Sequence, residues 1–574
     1  MLGLLLVKKP KGITSFSAVA KIKYLTGEKR VGHTGTLDPM ATGVLPILLG
    51  RATALSNLLL DGNKEYIAKI KLGLVTDTED ITGNVLAENE VSVTQSEIDN
   101  ALSKFTGSLK QKPPMYSALK KDGVRLYDLA RSGKTVEIEQ RDIEVFSAKL
   151  ISPLDNENCF SVKFKVSKGT YIRSLARDIG EYLGCGATLA GLERCEASGF
   201  DISKCVDLES LNKDNVFDYI LPEQTAVKHL REVFVTKNQA IRFSNGGELD
   251  LGRIKLKDIS ANELLRVYYE NQFLGIAKAK LEKGFLAVEC VIKKPDFREI
   301  AVALGSFDGL HLGHKKVLEL PNEYKKVAVT FLKPPKMYFG GNDELLLTFS
   351  QKRKALCELG YEEVYKLDFN VVRDIEPNEF LEMLYNKYKP SLISCGFNYR
   401  FGKDGKGDTK VLKEFCQEKG IKLNICEEVK HNNETVSSTK IRNLLQEGKI
   451  EKANELLNKS FCFSAVVEKG DQRGREIGYP TINQKYPENL VKLKNGVYKS
   501  KVMFKNREYE AITNIGIRPT FESDYIISET YIKNFNGDLY GKDVTIVPCE
   551  FLREEIKFGS LEELKKQIEQ DIKK

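Results

Sequence analysis

No stretch of the 574 residues approaches the roughly 18 apolar residues of a membrane-spanning helix. The opening MLGLLLVKKPKGITS holds only a short apolar run before it turns at Pro and Gly, so neither a leader nor a membrane anchor is expected and the chain reads as soluble, unprocessed and cytoplasmic. No CxxC pair occurs among the eleven cysteines, and Cys185, Cys195 and Cys205 stand ten apart. That spacing suggests neither a zinc site nor a disulfide framework and fits a reducing compartment. A strong charge of one sign is lacking too: 88 Lys and Arg against 80 Asp and Glu leave +8, which suits transient contact with phosphates better than tight packaging of nucleic acid. Histidine is scarce, with five in all, and no internal repeat or low-complexity tract is present.

At about 100–200 residues per domain the length calls for three to five domains. Residues 1–215 mix β-rich runs (65–71, 160–166) with a helical pattern at 170–182, as an α+β domain would. From about 230 to 293, VFVTKNQAIRFSNGG, ELLRVYYENQFLGIAKAKL and GFLAVECVI alternate apolar and polar positions between turns, which predicts a small β-barrel appendage within 216–293. KKPDF, at 293–297, reads as a hinge. Over 298–457 a buried strand, EIAVAL, leads through a Gly-rich turn into a helix; KKVAVTFL and SLISCGF then alternate with helical TFSQKRKALCELG and NEFLEMLYNKY. This is the pattern of a parallel, Rossmann-like α/β domain. A helical pair, KIRNLLQEGKIEKANELLNK, ends near Asn458, and 458–574 is β-rich and Gly-punctuated until a last helix, LEELKKQIEQDIKK.

Three segments carry candidate chemistry. The first, GHTGTLDPMATGVLPILLGRAT (32–53), presents one carboxylate, Asp38, and an imidazole, His33, in a turn-rich loop. An Asp-Pro pair marks turns in any case, so the loop alone does not establish catalysis. It is joined by KPKGITSFSAV (9–19), KEYIAKIKLG (64–73), QKPPMYSALKKDGVRLYDLAR (111–131), SKGTYIRSLARDIG (167–180) and GLERCEASGF (191–200), in that order. With these the first half resembles the TruB-type tRNA pseudouridine synthases. The resemblance implies that Asp38 is the essential carboxylate, attacking uridine at the ribose or at the ring. It also implies that Tyr66 stacks on the base, that Arg173 pairs with Asp38 and keeps it ionised, and that Tyr171 and Leu192 line the pocket. His33 is implied in extruding the target nucleotide. The implied substrate is uridine 55 in the T loop of tRNA, with Lys and Arg on phosphate and no metal or organic cofactor. Read by themselves, Tyr66 and Leu192 are equally ordinary core residues, and Arg173 a surface ion pair.

In the second segment, GSFDGLHLGH (305–314), a Gly turn bearing Gly305 and Asp308 sets His311 and His314 at the entrance of a helix after the first α/β strand. Amide groups at a helix start attract anions, and imidazoles three apart share a face where they can stabilise charge on an α-phosphate. VSSTKIRNLL (436–445) adds Ser438, Thr439 and Arg442 as candidates for gripping a triphosphate, and GFNYRFGKDGKGD (396–408) adds a basic turn. Together they resemble the FMN adenylyltransferase module of bacterial FAD synthetases. Three departures stand out: Ser306 where that family has Asn, Asn398 where it has Asp, and FLKPP where it has FEPHP.

The third segment, GDQRGREIGYPTINQ (470–484), offers a Gly/Arg loop with Gly474, then Thr481 and Asn483 alternating on one strand face. With KNGVY (494–498), NIGIRPTF (514–521) and SETYIKNFNGDLYGK (528–542) it resembles riboflavin kinase. The resemblance implies Glu529 as general base, and Thr481 and Asn483 as holders of Mg²⁺ and phosphate. The cofactors and substrates implied are ATP, Mg²⁺, riboflavin, FMN and FAD. No membrane and no obligate protein partner is expected. The architecture expected is therefore an α+β synthase domain with a small β-barrel appendage, a Rossmann-like α/β nucleotidyltransferase domain and an antiparallel β-barrel kinase domain. The rival reading keeps the kinase, a degenerate adenylyltransferase and a front half that only binds RNA.

Overall fold

The computed structural model describes all residues except 61, 118–119, 122–123, 126–135, 137, 341–343, 458, 471–473, 475–477, 506, 519–524 and 574. Much of the QKPPMYSALKKDGVRLYDLAR motif, most of the Gly/Arg loop after Gly470, the end of NIGIRPTF and the expected boundary at Asn458 therefore lie outside the described residues. The chain divides into two compact units, Met1–Asp296 and Phe297–Lys574.

The first unit is built on a long mixed sheet in which the Gly3–Lys9, Thr42–Leu49, Ala187–Ala197, Lys64–Leu72, Cys159–Val166, Arg141–Ser152 and Gly107–Gln111 strands follow one another. Lys64–Leu72 alternates buried and half-buried residues along its length, the period of a strand with one face on the core. That face packs on the Ile172–Tyr182 helix through Ala68, Ile70, Leu72, Leu175, Ala176 and Ile179. The Gly3–Lys9 strand ends at the Pro10–Gly12 turn, and Thr14 then caps the Ser15–Thr26 helix by accepting from the Ser17 amide.

Two local expectations change in the 216–293 stretch. Five of its strands order as Arg231–Phe234, Leu264–Tyr269, Gln272–Lys280, Phe285–Val291 and Leu249–Asp250, an open path among the described residues rather than a closed barrel. TKNQAIRFS is a helix, Lys237–Ser244, not a strand, because Thr236 and Gln239 form a capping box that starts it. Tyr268, Phe273, Ile276 and Ile292 join a core with Leu4, Leu48, Leu55 and Leu59, so the sheet leans on the synthase fold as well as on its own interior.

In the second unit five parallel strands order as Glu363–Leu367, Lys325–Phe331, Ile300–Leu304, Leu392–Gly396 and Lys422–Cys426. The direction of strand addition reverses beside Ile300–Leu304, and ligands of such sheets bind outside the carboxyl ends of the strands at that point. The six strands from Phe463–Glu468 to Asp543–Arg553 close into an antiparallel barrel. The two parts share one core: Ile441, Leu445, Ile450 and Leu457 pack with Phe461, Tyr486, Leu490, Tyr498 and Ile546. Leu345 and Leu490 are further joined by a backbone bridge. Among the described residues no helix is long and apolar enough to cross a membrane.

Candidate active sites

Asp38 lies between the Val31–His33 and Thr42–Leu49 strands, on a loop held from outside by the hydroxyl of Ser15, which accepts from the Leu37 amide at 2.9 Å and donates to the Leu37 carbonyl at 3.0 Å. Gly43 lets this loop return to the sheet. Its φ is +109°, and a Cβ there would stand 2.2 Å from the Arg194 carbonyl oxygen. The Asp38 carboxylate meets the Arg173 Nε at 3.1 Å, with 38% of the Asp38 side chain exposed against 7% for Arg173. Arg173 is fixed by three further partners: its Nη1 donates to the Thr78 carbonyl at 3.0 Å and lies 3.6 Å from Asp80, and its Nη2 donates to the Tyr116 carbonyl at 2.9 Å. Gln111 orders the residue before the helix, its side-chain amide accepting from the Tyr171 N–H at 2.8 Å and donating to the Tyr171 carbonyl at 3.0 Å.

Asp38, Tyr66, Tyr171, Arg173 and Leu192 line one pocket of about 820 Å³, with Asp80, Tyr116, Ser117 and Arg194. Register explains the meeting of distant residues, since Tyr66 pairs with Phe164 on one side and Arg194 on the other. Burial pushes the Tyr171 phenol up. His33 does not line the pocket; its Nδ1 is buried with no partner, and burial followed by Arg194 pulls its basicity down. Lys9 and Arg194 were not singled out from the sequence. Arg194 donates to the Val44 and Gly35 carbonyls at 2.8 and 2.9 Å, bracing both ends of the Asp38 loop. Lys9 is fully buried and donates to the Pro10 and Ile13 carbonyls, each at 2.8 Å. Burial pushes its ammonium down to about 8, against the pull of Asp38.

In the second unit the 305–310 turn follows the Ile300–Leu304 strand with Phe307 and Leu310 both at φ +48° and Gly309 at +87°. Left-handed backbone is costly for residues with a Cβ and persists only where the surroundings enforce it. Asp308, wholly buried, accepts from the Leu346 amide at 3.0 Å and from the Arg442 guanidinium at 2.5 Å. The Ser438 hydroxyl donates to the Asp308 carbonyl at 2.8 Å. His311 caps the Leu312–Leu318 helix by accepting from the His314 amide, and the two imidazoles stack with centroids 3.7 Å apart. Burial pushes His311 down to about 4 and lowers His314 as well, so both are neutral near pH 7 and act as hydrogen-bonding rather than charged groups. Thr439 is exposed on the first turn of the Ser438–Gln446 helix. Asn398 is exposed after the Leu392–Gly396 strand. Beside the FLKPP departure lies an aromatic cluster that sequence reading missed: Tyr338 and Phe339 pack on Phe369 at 4.6 and 5.6 Å, and Phe339 is 72% exposed.

On the barrel, Asn483 pairs with Glu529 and Thr481 with Tyr531, and Asn514 pairs with Glu529 from the other side. Cross-strand partners point to one face, so Thr481, Asn483, Asn514 and Glu529 share it. Glu529 is exposed and Asn483 buried. Gly470 and Gly474 lie against this face: a Cβ on Gly470 would lie 2.4 Å from Asn483 Nδ2, and one on Gly474 would lie 3.4 Å from Thr481 Oγ1. Asn514 donates to Glu555 at 3.2 Å while its Oδ1 is buried without a partner.

Four family models match in succession: the TruB family pseudouridylate synthase N-terminal domain over 23–172, the tRNA pseudouridylate synthase B C-terminal domain over 173–234, FAD synthetase over 293–440 and riboflavin kinase over 457–574. Among curated relatives, the tRNA pseudouridine synthase B of Clostridium tetani is 43% identical over 295 residues, covering 51% of this chain and 100% of its own length. Those of Clostridium novyi and Azoarcus sp. are 43% and 42% identical and cover 48% of this chain each, with 95% and 90% of their own lengths. Through its first half the chain thus belongs to the tRNA pseudouridine synthase B family, and its second half carries an FAD synthetase domain followed by a riboflavin kinase domain.

Proposed function

We propose that the first unit converts uridine 55 of the tRNA T loop to pseudouridine with Asp38 as the essential carboxylate, and that the second converts riboflavin to FMN and FMN to FAD with ATP. The observation that carries the first assignment is the Asp38–Arg173 contact at 3.1 Å in a pocket that also holds Tyr66. A pocket of about 820 Å³ accommodates a nucleoside turned out of its stack. Asp38, held by Arg173 yet open to the pocket, attacks the uridine at the ribose or the ring, and the glycosyl C–N bond breaks. The uracil turns while stacked on Tyr66, the new C–C bond forms, and the bond to Asp38 breaks with its electron pair returning to the carboxylate. The proton left on that ring carbon is then removed, with Tyr66 beside it, while the detached ring nitrogen takes up a proton, so that the net change is an isomerisation. Tyr171 and Leu192 wall the base.

For the kinase step, Glu529 accepts the proton of the riboflavin hydroxyl as that oxygen attacks the γ-phosphorus of ATP, the β–γ bridging P–O bond breaks and ADP leaves. Thr481 and Asn483 offer oxygen donors on one strand face, and Gly470 and Gly474 leave room above them that a side chain would fill. These features fit Mg²⁺, which would neutralise phosphate charge there. For the adenylyl step, the amides and neutral imidazoles of the 311–314 helix start face the polyphosphate with Ser438, Thr439 and Arg442 nearby. The exposed Tyr338 and Phe339, packed on the buried Phe369, suit the flavin ring.

The test incubates the full-length protein with riboflavin, ATP and Mg²⁺, separates flavins by chromatography, and scores pseudouridine at position 55 of an unmodified tRNA transcript. FAD and pseudouridine should both form, Asp38→Ala losing only pseudouridine and Glu529→Ala losing FMN and hence FAD from riboflavin while still converting supplied FMN to FAD. Accumulation of FMN alone would mean a degenerate adenylyltransferase. Absence of pseudouridine would leave the first unit an RNA-binding module.

A further inference from the structure

Lys352 has no exposed surface. It sits in the Phe349–Glu358 helix, whose capping box of Thr348 and Gln351 fixes the first turn, and its stem runs inward to the carboxyl edge of the parallel sheet. There its Nζ donates to the Ser306 carbonyl at 2.7 Å and to the Phe331 carbonyl at 2.9 Å. Ser306 opens the 305–310 turn, and Phe331 ends the neighbouring strand at the FLKPP departure. One ammonium thus ties together the two strand ends that border the site. The Thr330 hydroxyl donates to the same Ser306 carbonyl at 2.9 Å, so the turn is gripped through its backbone, whichever side chain stands at 306.

The charge matters as much as the tether. Asp308 is the carboxylate whose charge acts on Lys352, and it already accepts from Arg442. Glu344 directs one carboxylate oxygen to Gln446 at 2.7 Å. With His311 and His314 neutral, Lys352 and Arg442 outweigh Asp308 directly behind the turn. A buried cation is expensive unless paired, and a polyphosphate arriving at the helix start would supply the missing negative charge.

We propose that Lys352 is a positioning residue for adenylyl transfer, clamping the turn that carries Asp308, His311 and His314 and setting a fixed positive charge behind the polyphosphate. The inference rests on the adenylyltransferase reading given above. In that reaction an FMN phosphate oxygen bonds to the α-phosphorus of ATP, the α–β bridging P–O bond breaks, and pyrophosphate leaves with the electron pair. Lys352 touches none of these atoms. It acts through the turn and through its field, on the pyrophosphate end rather than the flavin end.

The experiment compares wild-type protein with Lys352→Met and Lys352→Arg, all full length, in FAD formation and in its reverse, FAD plus pyrophosphate to FMN plus ATP. Only the adenylyl site uses pyrophosphate, and riboflavin phosphorylation by the same preparations reports that the unit is folded. Lys352→Met should lower kcat/KM for FAD formation by about 100-fold, the scale of losing one preorganised stabiliser of developing charge. KM for pyrophosphate should rise about tenfold or more with KM for FAD nearly unchanged, and Lys352→Arg should recover part of the pyrophosphate affinity. Unchanged kinetics in Lys352→Met overturn the proposal while leaving the adenylyltransferase reading intact. Equal losses toward FAD and pyrophosphate overturn it in favour of general collapse of the lobe. Wild-type protein that makes FMN but no FAD removes the adenylyltransferase reading, and this inference with it.

Discussion

Asp38 is held on one side and open on the other, a division that suits a group which must be aimed and yet reached. Replacing it by Asn keeps the shape and removes the charge, and should reduce pseudouridine formation by at least about 1000-fold while leaving both flavin steps unchanged, as scored on transcript and flavin together. Lys9 supplies a pH signature of the same neighbourhood. Burial lowers its folded affinity for a proton to about 8 from 10.5, so between those values the unfolded chain binds more protons than the folded one. Stability of the first unit should therefore rise with pH across that window, by up to about 3 kcal/mol from this group. Denaturant midpoints at pH 8 and 10, with Lys9→Met as the variant that flattens the slope, check the sign. Asp38, Arg173 and Tyr66 were legible because each stands in a segment with its own residue order. Arg194 and Lys352 were not, since what distinguishes them is burial against carbonyls from remote segments, and Lys9 was not, since it is buried against the nearby Pro10 and Ile13 carbonyls and a lysine in sequence gives no sign of which way its stem turns.

The sequence patterns foretold strands best, whether one face is buried, as in Lys64–Leu72, or both, as in the apolar runs of Ile300–Leu304 and Lys325–Phe331. The Lys237–Ser244 helix was not foretold, because its eight residues span barely two turns and the deciding signal is the Thr236–Gln239 capping box rather than the apolar spacing. Thr236→Ala should cost that helix about 1 kcal/mol, seen as earlier hydrogen exchange of its amides. Strand contact makes a larger demand at Gly43. An added methyl meets the Arg194 backbone at 2.2 Å and must also adopt a φ of +109°. Gly43→Ala should therefore destabilise the first unit by about 3 kcal/mol or more. The expected readout is a lower thermal midpoint and lost pseudouridine formation, with FAD synthesis by the same sample preserved.

Across the whole chain, the hinge read from KKPDF falls where the two compact units divide, whereas 298–457 and 458–574, read as separate domains, share one interior. Sequence could not reveal this, because Leu445 and Leu490 look alike whether they face a private core or a common one. Severing the chain after Asp296 should yield two fragments that keep pseudouridine formation and flavin synthesis respectively. Severing near 458 should leave both fragments with an open apolar face and a loss of cooperative unfolding, measurable by calorimetry. The shared interior also bears on how the protein is made. When a ribosome has completed Leu457, the partners Leu490, Tyr498 and Ile546 are still to be synthesised, and at about 5–20 residues per second the last of them follows after roughly 5 to 20 s. For that interval the nascent nucleotidyltransferase lobe carries uncovered leucines, and its dependence on chaperone capture should be set by the speed of translation through the barrel.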